Sequence, residues 1–319
     1  MNINHLHDKD IRGQASIDNL IRLALAEDIG SGDITTNLLI SEGQRGEAYV
    51  MSKEDMILSG IGVFKKALMS AHSFYSDSLI PLKFRDRFKD GDLIKSGKKI
   101  IEVTGNMRTL LTGERTALNF LQRMSGIATH TKKFVDEVAK PALSSETRLL
   151  RYARNDMSEG ASPRNDKVKI IDTRKTTPKL RILEKYAVRC GGGINHRFGL
   201  YDGILIKDNH IKVAGGIIKA VKKVKDNAPH LMKIEVEVKS IKEVRDALKC
   251  KADVIMLDNM DISTIKRAVR LINKVALVEV SGGVNLKNVV EIAATGVDYI
   301  SIGALTHSAR AVDISMEIR

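Results

Sequence analysis

The chain has 319 residues, and its 52 Lys plus Arg against 39 Asp plus Glu give a formal net charge of +13. At about 150 residues per domain that length suggests two domains, and 43% hydrophobic with 29% charged residues is an ordinary globular composition that argues against disorder. No apolar run reaches the roughly 18 residues of a membrane span, and two distant cysteines, Cys190 and Cys250, exclude a disulfide framework or zinc knuckle. The opening MNINHLHDKDIRGQ is polar, so no signal peptide is expected, and a reducing cytoplasm fits. The positive charge raises the possibility of nucleic-acid binding. However, lysines such as Lys219, Lys222, Lys223 and Lys225 read as a solvated helix face, and with no Trp and 4% aromatics there is no stacking platform. The expectation is no nucleic-acid and no membrane partner.

In chain order, Ser16 is expected to cap a helix with Ile17, Leu20, Ile21, Ala24 and Leu25 on one side. Short strands follow at 46–52, 80–84 and 99–105, separated by Gly-rich turns, and make an N-terminal α/β layer over 1–112. After Thr112 a long amphipathic helix is expected over 113–140, with Gly126 its weak point. Residues 141–167 are polar, carry two prolines and repeat Arg-Asn-Asp at 154–156 and 164–166, which reads as an exposed insertion. From Val168 onward, strands at 168–172, 203–207, 233–238, 253–257, 276–280 and 298–302 alternate with helical segments, the one after 207 expected over 214–225. That beat implies a parallel sheet, closed or nearly closed into a barrel over 113–319, whose last helix packs back on the N-terminal domain. An open doubly wound sheet ranks second, because no G-x-G-x-x-G turn follows its first strand.

In such a barrel the chemistry sits where strands end. Those ends carry Asp172-Thr173-Arg174-Lys175, Lys207-Asp208-Asn209-His210, Glu237, Asp258-Asn259, Ser281-Gly282-Gly283 and Gly303-Ala304-Leu305. Alternation along 234–238 turns Glu235 and Glu237 into the barrel, where they need cations or a metal, a structural ion pair being the plainer reading. The two Gly-rich loops after the last two strands have the order of a phosphate site, although a lone Ser-Gly-Gly is also an ordinary tight turn. Arg174, Lys175, Arg197 and Lys207, with His196, form a mixed cationic set suited to a multiply anionic ligand pair. Cys190-Gly191-Gly192-Gly193 reads as a helix C-cap. The other histidines show no metal-ligand spacing.

The motifs EDIGSGDITT (27–36), GERTALNFLQRMSGIAT (113–129), DTRKTTP (172–178), GGGINHRFGLYDGILIKDNHI (191–211), IEVEV (234–238), MLDNM (256–260), SGGVNL (281–286) and GVDYISIGALTHS (296–308) resemble, in order and over nearly the whole chain, the quinolinate phosphoribosyltransferase family. The segment 141–167 departs from that pattern. The resemblance implies an N-terminal open α/β sandwich and an incomplete, seven-stranded type α/β barrel, with the active site at a homodimer interface. It implies transfer of phosphoribosyl from phosphoribosyl pyrophosphate to quinolinate with decarboxylation, giving nicotinate mononucleotide, pyrophosphate and CO₂. By its motifs Arg115 reaches into the neighbouring subunit's site, while Thr173, Arg174, Lys175, His196, Arg197 and Lys207 surround the dicarboxylate and diphosphate. Glu237 and Asp258 hold the ribose hydroxyls and Mg²⁺, and with Lys175 are the catalytic set. Ser281, Gly282, Gly283, Gly303, Ala304 and Leu305 bind the 5-phosphate. The alternatives are a paralogue acting on another pyridine acid such as nicotinate, and a Schiff-base aldolase using Lys175 or Lys207.

Overall fold

The computed structural model of the chain describes residues 11–74, 80–140 and 168–319, so the expected insertion over 141–167 lies outside the described residues. The described chain forms two compact units. One is built from the segments up to Lys132, Thr176–Gly192 and Leu305–Arg319; the other from Lys133–Lys175 and Gly193–Ala304.

The first unit holds an antiparallel sheet of β1 (Arg45–Ser52), β3 (Lys83–Asp86), β5 (Lys99–Asn106) and β12 (Ile314–Ile318), in the order β12-β1-β5-β3, and a two-stranded pair of β2 (Met56–Ile57) with β4 (Leu93–Ile94). Alternation explains β1, whose Ala48, Val50 and Ser52 are buried while Glu47 is exposed. The same logic makes the chain end a strand and not the expected helix: Ile314 and Met316 point inward and β12 pairs with β1 from Ile314 to Ile318. Helix α1 (Ile11–Ile29) starts before Ser16, which is therefore a helix residue and not a cap. Helix α2 (Ile34–Leu39) is capped by Asp33, whose carboxylate accepts from the Thr36 N–H at 2.9 Å. Beyond α3 (Ile61–His72), α4 runs from Met107 to Ala139, six residues earlier than the expected start, because Asn106 Oδ1 accepts from the Thr109 N–H and initiates the helix there. Gly126 does not break α4. Its missing side chain makes room for the C-terminal segment, since a Cβ there would lie 2.0 Å from the Arg310 carbonyl oxygen.

The second unit is a parallel sheet of six strands in the order β6-β11-β10-β9-β8-β7. Its strands are β6 (Lys169–Ile171), β7 (Ile204–Ile206), β8 (Ile234–Val238), β9 (Val254–Asp258), β10 (Leu277–Ser281) and β11 (Tyr299–Ser301). A parallel bridge adds Ile194 beside Ile171 as a seventh position. The first strand therefore neighbours both the last strand and the second position, and among the described residues Ile194 and β7 are not paired. That is the incomplete seven-stranded barrel the sequence implies. The helices of this unit include the short, unburied α6 (Asp208–Ala214) and the covering α7 (Ile217–Asn227), α8 (Ile241–Lys249) and α9 (Ile262–Ile272). The helix expected over 214–225 is α7, and a short helix that was not expected, α6, precedes it and ends at Gly215 in the left-handed region. Buried faces such as Val244 and Ala247 on α8 and Ile265, Ala268 and Ile272 on α9 cover the strands. Caps define the starts: Ser240 accepts from the Glu243 N–H, and Asp261 from the Thr264 N–H. The last bonds, with Ser263, hold the Asp261 carboxyl at about 2.

Candidate active site

Because the strands are parallel, their C-terminal ends lie at one edge of the barrel, and the register decides which side chains face in. Glu237 pairs with Met256, which pairs with Glu279, and Asp258 pairs with Ser281. Since alternate residues share a face, Glu235, Glu237, Asp258, Glu279 and Ser281 all lie on the inner one. Thr173, Arg174 and Lys175 follow β6, His196 and Arg197 follow the Ile194 bridge, and Lys207 ends β7 as the N-cap of α6.

Local bonds hold these ends in place. Asp172, fully buried, accepts from Asn195 Nδ2 at 2.6 Å and from the His196 backbone N–H at 2.9 Å, which ties the loop after the bridge to the end of β6. His196 Nε2 lies 2.9 Å from Glu235 Oε2. Arg197 Nη1 donates to the Gly203 carbonyl at 2.9 Å, the Lys175 N–H donates to Thr173 Oγ1, and the Lys207 N–H donates to His210 Nδ1. Asp208 and Lys239 pair at 2.7 Å, which lowers the carboxyl and raises the ammonium.

Electrostatics single out two clusters. Burial and the neighbouring Arg174 both push the Arg197 guanidinium below its ordinary pKa. The Nε atoms of Arg174 and Arg197 are buried with no hydrogen-bond partner among the described residues. Two crowded guanidiniums with unspent donors are disposed to receive an anion. Opposite in sign, burial and the nearby Asp258 raise the Glu237 carboxyl, and Lys207 and Lys239 oppose that rise. Two carboxylates facing one another offer hard oxygen donors of the kind Mg²⁺ takes.

The phosphate-type loop begins at Ser281. Gly282 has φ +90°, and a Cβ there would sit 2.2 Å from Asn259 Oδ1, so only glycine admits this turn beside Asn259. Asn288 Nδ2 donates to the Gly283 carbonyl at 3.0 Å and closes the loop. Gly303 and Ala304 follow β11, and Leu305 is buried in the first unit. Arg115 also belongs to the first unit, exposed on α4. The second unit therefore assembles all the expected residues except Leu305 and Arg115.

Sequence profiles of two domains match this chain: the quinolinate phosphoribosyl transferase N-terminal domain over 33–125 and the C-terminal domain over 153–317. The chain belongs to the quinolinate phosphoribosyl transferase family. The Bacillus subtilis protein named probable nicotinate-nucleotide pyrophosphorylase (carboxylating) is 40% identical over 302 residues, covering 95% of this chain and 93% of that protein. The chloroplastic nicotinate-nucleotide pyrophosphorylase (carboxylating) of Arabidopsis thaliana is also 40% identical, over 94% of this chain and 82% of its own. Among solved structures, the nicotinate-nucleotide pyrophosphorylase of Francisella tularensis superposes with a TM-score of 0.82 at 38% identity, covering 96% of each chain.

For this member of the quinolinate phosphoribosyl transferase family, the structure gives a place to Asn259, a strand-end residue without an expected role, and adds Glu279, which no motif marks. Asn259 owes its place to a left-handed backbone at φ 53° and its contact to Gly282, neither of which a residue type announces. Glu279 sits in an apolar strand, and only the closed sheet brings it against Glu235 and His196. A Glu at the same parity as the strand-end Ser281 was the available signal.

Proposed function

We propose that this chain transfers the phosphoribosyl group of phosphoribosyl pyrophosphate to quinolinate and releases CO₂. The observation that carries the reading is the Arg174–Arg197 pair, half-buried, mutually repelling and with buried, unspent Nε donors. It suits a planar dicarboxylate, whose negative charge relieves the repulsion and which accepts from both guanidiniums. Lys175 and Lys207 add positive charge, and His196 a ring N–H, for quinolinate and the diphosphate, which otherwise repel one another. The Ser281-Gly282-Gly283 and Gly303-Ala304-Leu305 turns take the 5-phosphate through backbone N–H groups.

Glu237 and Asp258 take the ribose hydroxyls and would hold Mg²⁺, which neutralises the departing pyrophosphate when bound. The pyridine nitrogen brings its own lone pair, so no general base is required. The N–C1 bond forms as the C1–O bond to pyrophosphate breaks, under the two carboxylates that favour positive charge at C1. The ring, now cationic at nitrogen, receives the electron pair of the C2–carboxylate bond as CO₂ leaves, and a solvent proton then takes that position.

The functional unit is a homodimer in this reading. Arg115 is exposed on α4, where Thr112 donates to Asp33 at 3.0 Å and Arg108 Nε donates to the Ile40 carbonyl at 2.8 Å, so α2 lies alongside. That helix exposes Ile34, Leu38 and Leu39, an apolar face fit for a second copy and for delivery of Arg115. Two free thiols and no helix long and apolar enough to cross a membrane among the described residues accord with a cytoplasmic enzyme.

The test mixes the purified protein with phosphoribosyl pyrophosphate, Mg²⁺ and either quinolinate or nicotinate, and measures nicotinate mononucleotide, pyrophosphate and CO₂. Product and CO₂ from quinolinate alone are expected. Turnover of nicotinate in their place would reassign the chain to another pyridine acid.

A further inference from the structure

We propose that Glu279 is a positioning residue of this site: acting through Glu235, it holds the His196 imidazole in one tautomer and one ring orientation for the pyridine substrate. The inference rests on the reading that His196 meets that substrate, but its structural part is independent of turnover.

Glu279 lies in the middle of β10 and is 2% exposed; Glu235, on β8, is 8% exposed. In a barrel, side chains from alternate strands share a layer, and β8 and β10 flank β9. One donor atom each of His196, Glu235 and Glu279 lie within 4.8 Å of one another. Among the described residues no lysine or arginine forms a salt bridge to either carboxyl; their ionic neighbour is His196, at 2.9 Å from Glu235 and 3.8 Å from Glu279. Two buried carboxylates so placed would repel at close range, and neither could be hydrated.

The orphaned atoms show how the cluster is balanced. Counted as acceptors only, Glu235 Oε1 and Glu279 Oε1 are both buried without a partner. A proton on Glu279 bridges the pair, because the Glu279 carboxyl is in hydrogen-bond contact with Glu235. Burial, then the charge of Glu235, raise Glu279 well above the carboxylate range, whereas the Ser301 side chain opposes that shift. Glu279 is therefore the protonated donor of the pair, and Glu235 accepts from it. A ring nitrogen 2.9 Å from a carboxylate carries hydrogen, so Glu235 puts the proton on Nε2 and fixes the ring plane. The His196 main chain is held separately by Asp172. Other charges around the cluster are Arg197, which attracts Glu235, and Arg174 beside it.

The experiment compares wild type with Glu279→Gln and Glu279→Met in the full-length protein. Long-range proton–nitrogen spectra of ¹⁵N-histidine-labelled protein report the His196 tautomer, with the signal assigned by its loss in His196→Gln. Glutamine reproduces a neutral, donating carboxyl, so E279Q is expected to keep the Nε2–H signature and kcat/KM within about threefold. Methionine fills the space without donating. E279M is expected to lose the single tautomer and to lower kcat/KM for quinolinate by about 10- to 100-fold, with KM for phosphoribosyl pyrophosphate unchanged. An E279Q variant as impaired as E279M, or an unchanged His196 signature in E279M, overturns the proposal. Should E279M not fold, the infrared band of a protonated carboxyl decides: it should be present at neutral pH in wild type and absent in E279Q, and its absence from wild type also overturns the proposal. A wild type that makes no nicotinate mononucleotide sinks the functional reading alone, because the tautomer and the infrared band are read without turnover.

Discussion

Replacing Arg123 by Met would test how the ends of the first and last barrel loops are held. Arg123, on α4, donates to Glu184 Oε1 from Nη2 at 2.8 Å and from Nε at 3.3 Å, and to the carbonyls of Thr306 and Ala309. Glu184, 1% exposed on α5 (Arg181–Cys190), also accepts from the Thr177 N–H at 3.0 Å and the Thr177 hydroxyl at 2.8 Å. Thr177 comes two residues after Lys175, and Thr306 directly follows Leu305. One guanidinium therefore serves the chain just beyond both loops. Breaking a buried pair from one side costs about 3–5 kcal/mol, and the 28% exposure of the Arg123 side chain puts this case near 3. Against a total stability of about 5–15 kcal/mol that is a large share. At about 2–4 °C per kcal/mol, the midpoint followed by circular dichroism should fall by about 6–12 °C. Adding Glu184→Gln to Arg123→Met should recover part of the loss, because a neutral amide does not leave a lone charge buried and still accepts from Thr177. The reasoning fails if R123M melts within a degree or two of wild type, or if the double variant is less stable than R123M.

Asp90 gives a pH prediction with a definite sign. Its carboxylate accepts from the Gly60 and Ile61 N–H groups and the Tyr186 hydroxyl, but burial dominates and raises it above the ordinary 3.8. A raised folded-state pKa favours the protonated form, so Asp90's contribution to stability is full below 3.8 and is lost as pH rises through the folded value. Asp90→Asn should flatten that part of the urea-midpoint profile above pH 3.8 and stabilise the protein at neutral pH; an unchanged slope would contradict it. Gly126→Ala should cost about 1–3 kcal/mol in urea unfolding, since its Cβ would lie 2.0 Å from backbone that cannot swing aside. Arg197→Lys keeps the charge but loses the fork and the Nη1 bond to Gly203, so KM for quinolinate should rise about tenfold or more while the melting temperature barely moves. Equal KM values for wild type and R197K would show that Arg197 does not bind the ring's carboxylates.

Periodicity and the order of residues made much of this protein legible. The six βα beats from Val168 onward, the polar group at each strand end and the two Gly-rich loops are local properties, and they predicted the parallel barrel and the edge where its chemistry lies. The motif order carried the family. Arg115 was named through its motif alone, because an exposed arginine on a helix has no local mark of function.

What the sequence left open depended on partners far along the chain. Asn106 starts α4 early, and the alternation of Ile314 and Met316 becomes a strand because β1 offers an edge to pair with. Gly126 reads as a helix breaker until the Arg310 backbone is seen against it. Glu279 reads as one polar residue in an apolar strand, yet the closed sheet brings it against Glu235 and within 3.8 Å of His196. Side-chain periodicity is a property of one segment, so one segment suffices to show it. Burial of a charge, and the identity of the group that must compensate it, are fixed by neighbours that only the closed barrel brings within hydrogen-bond distance.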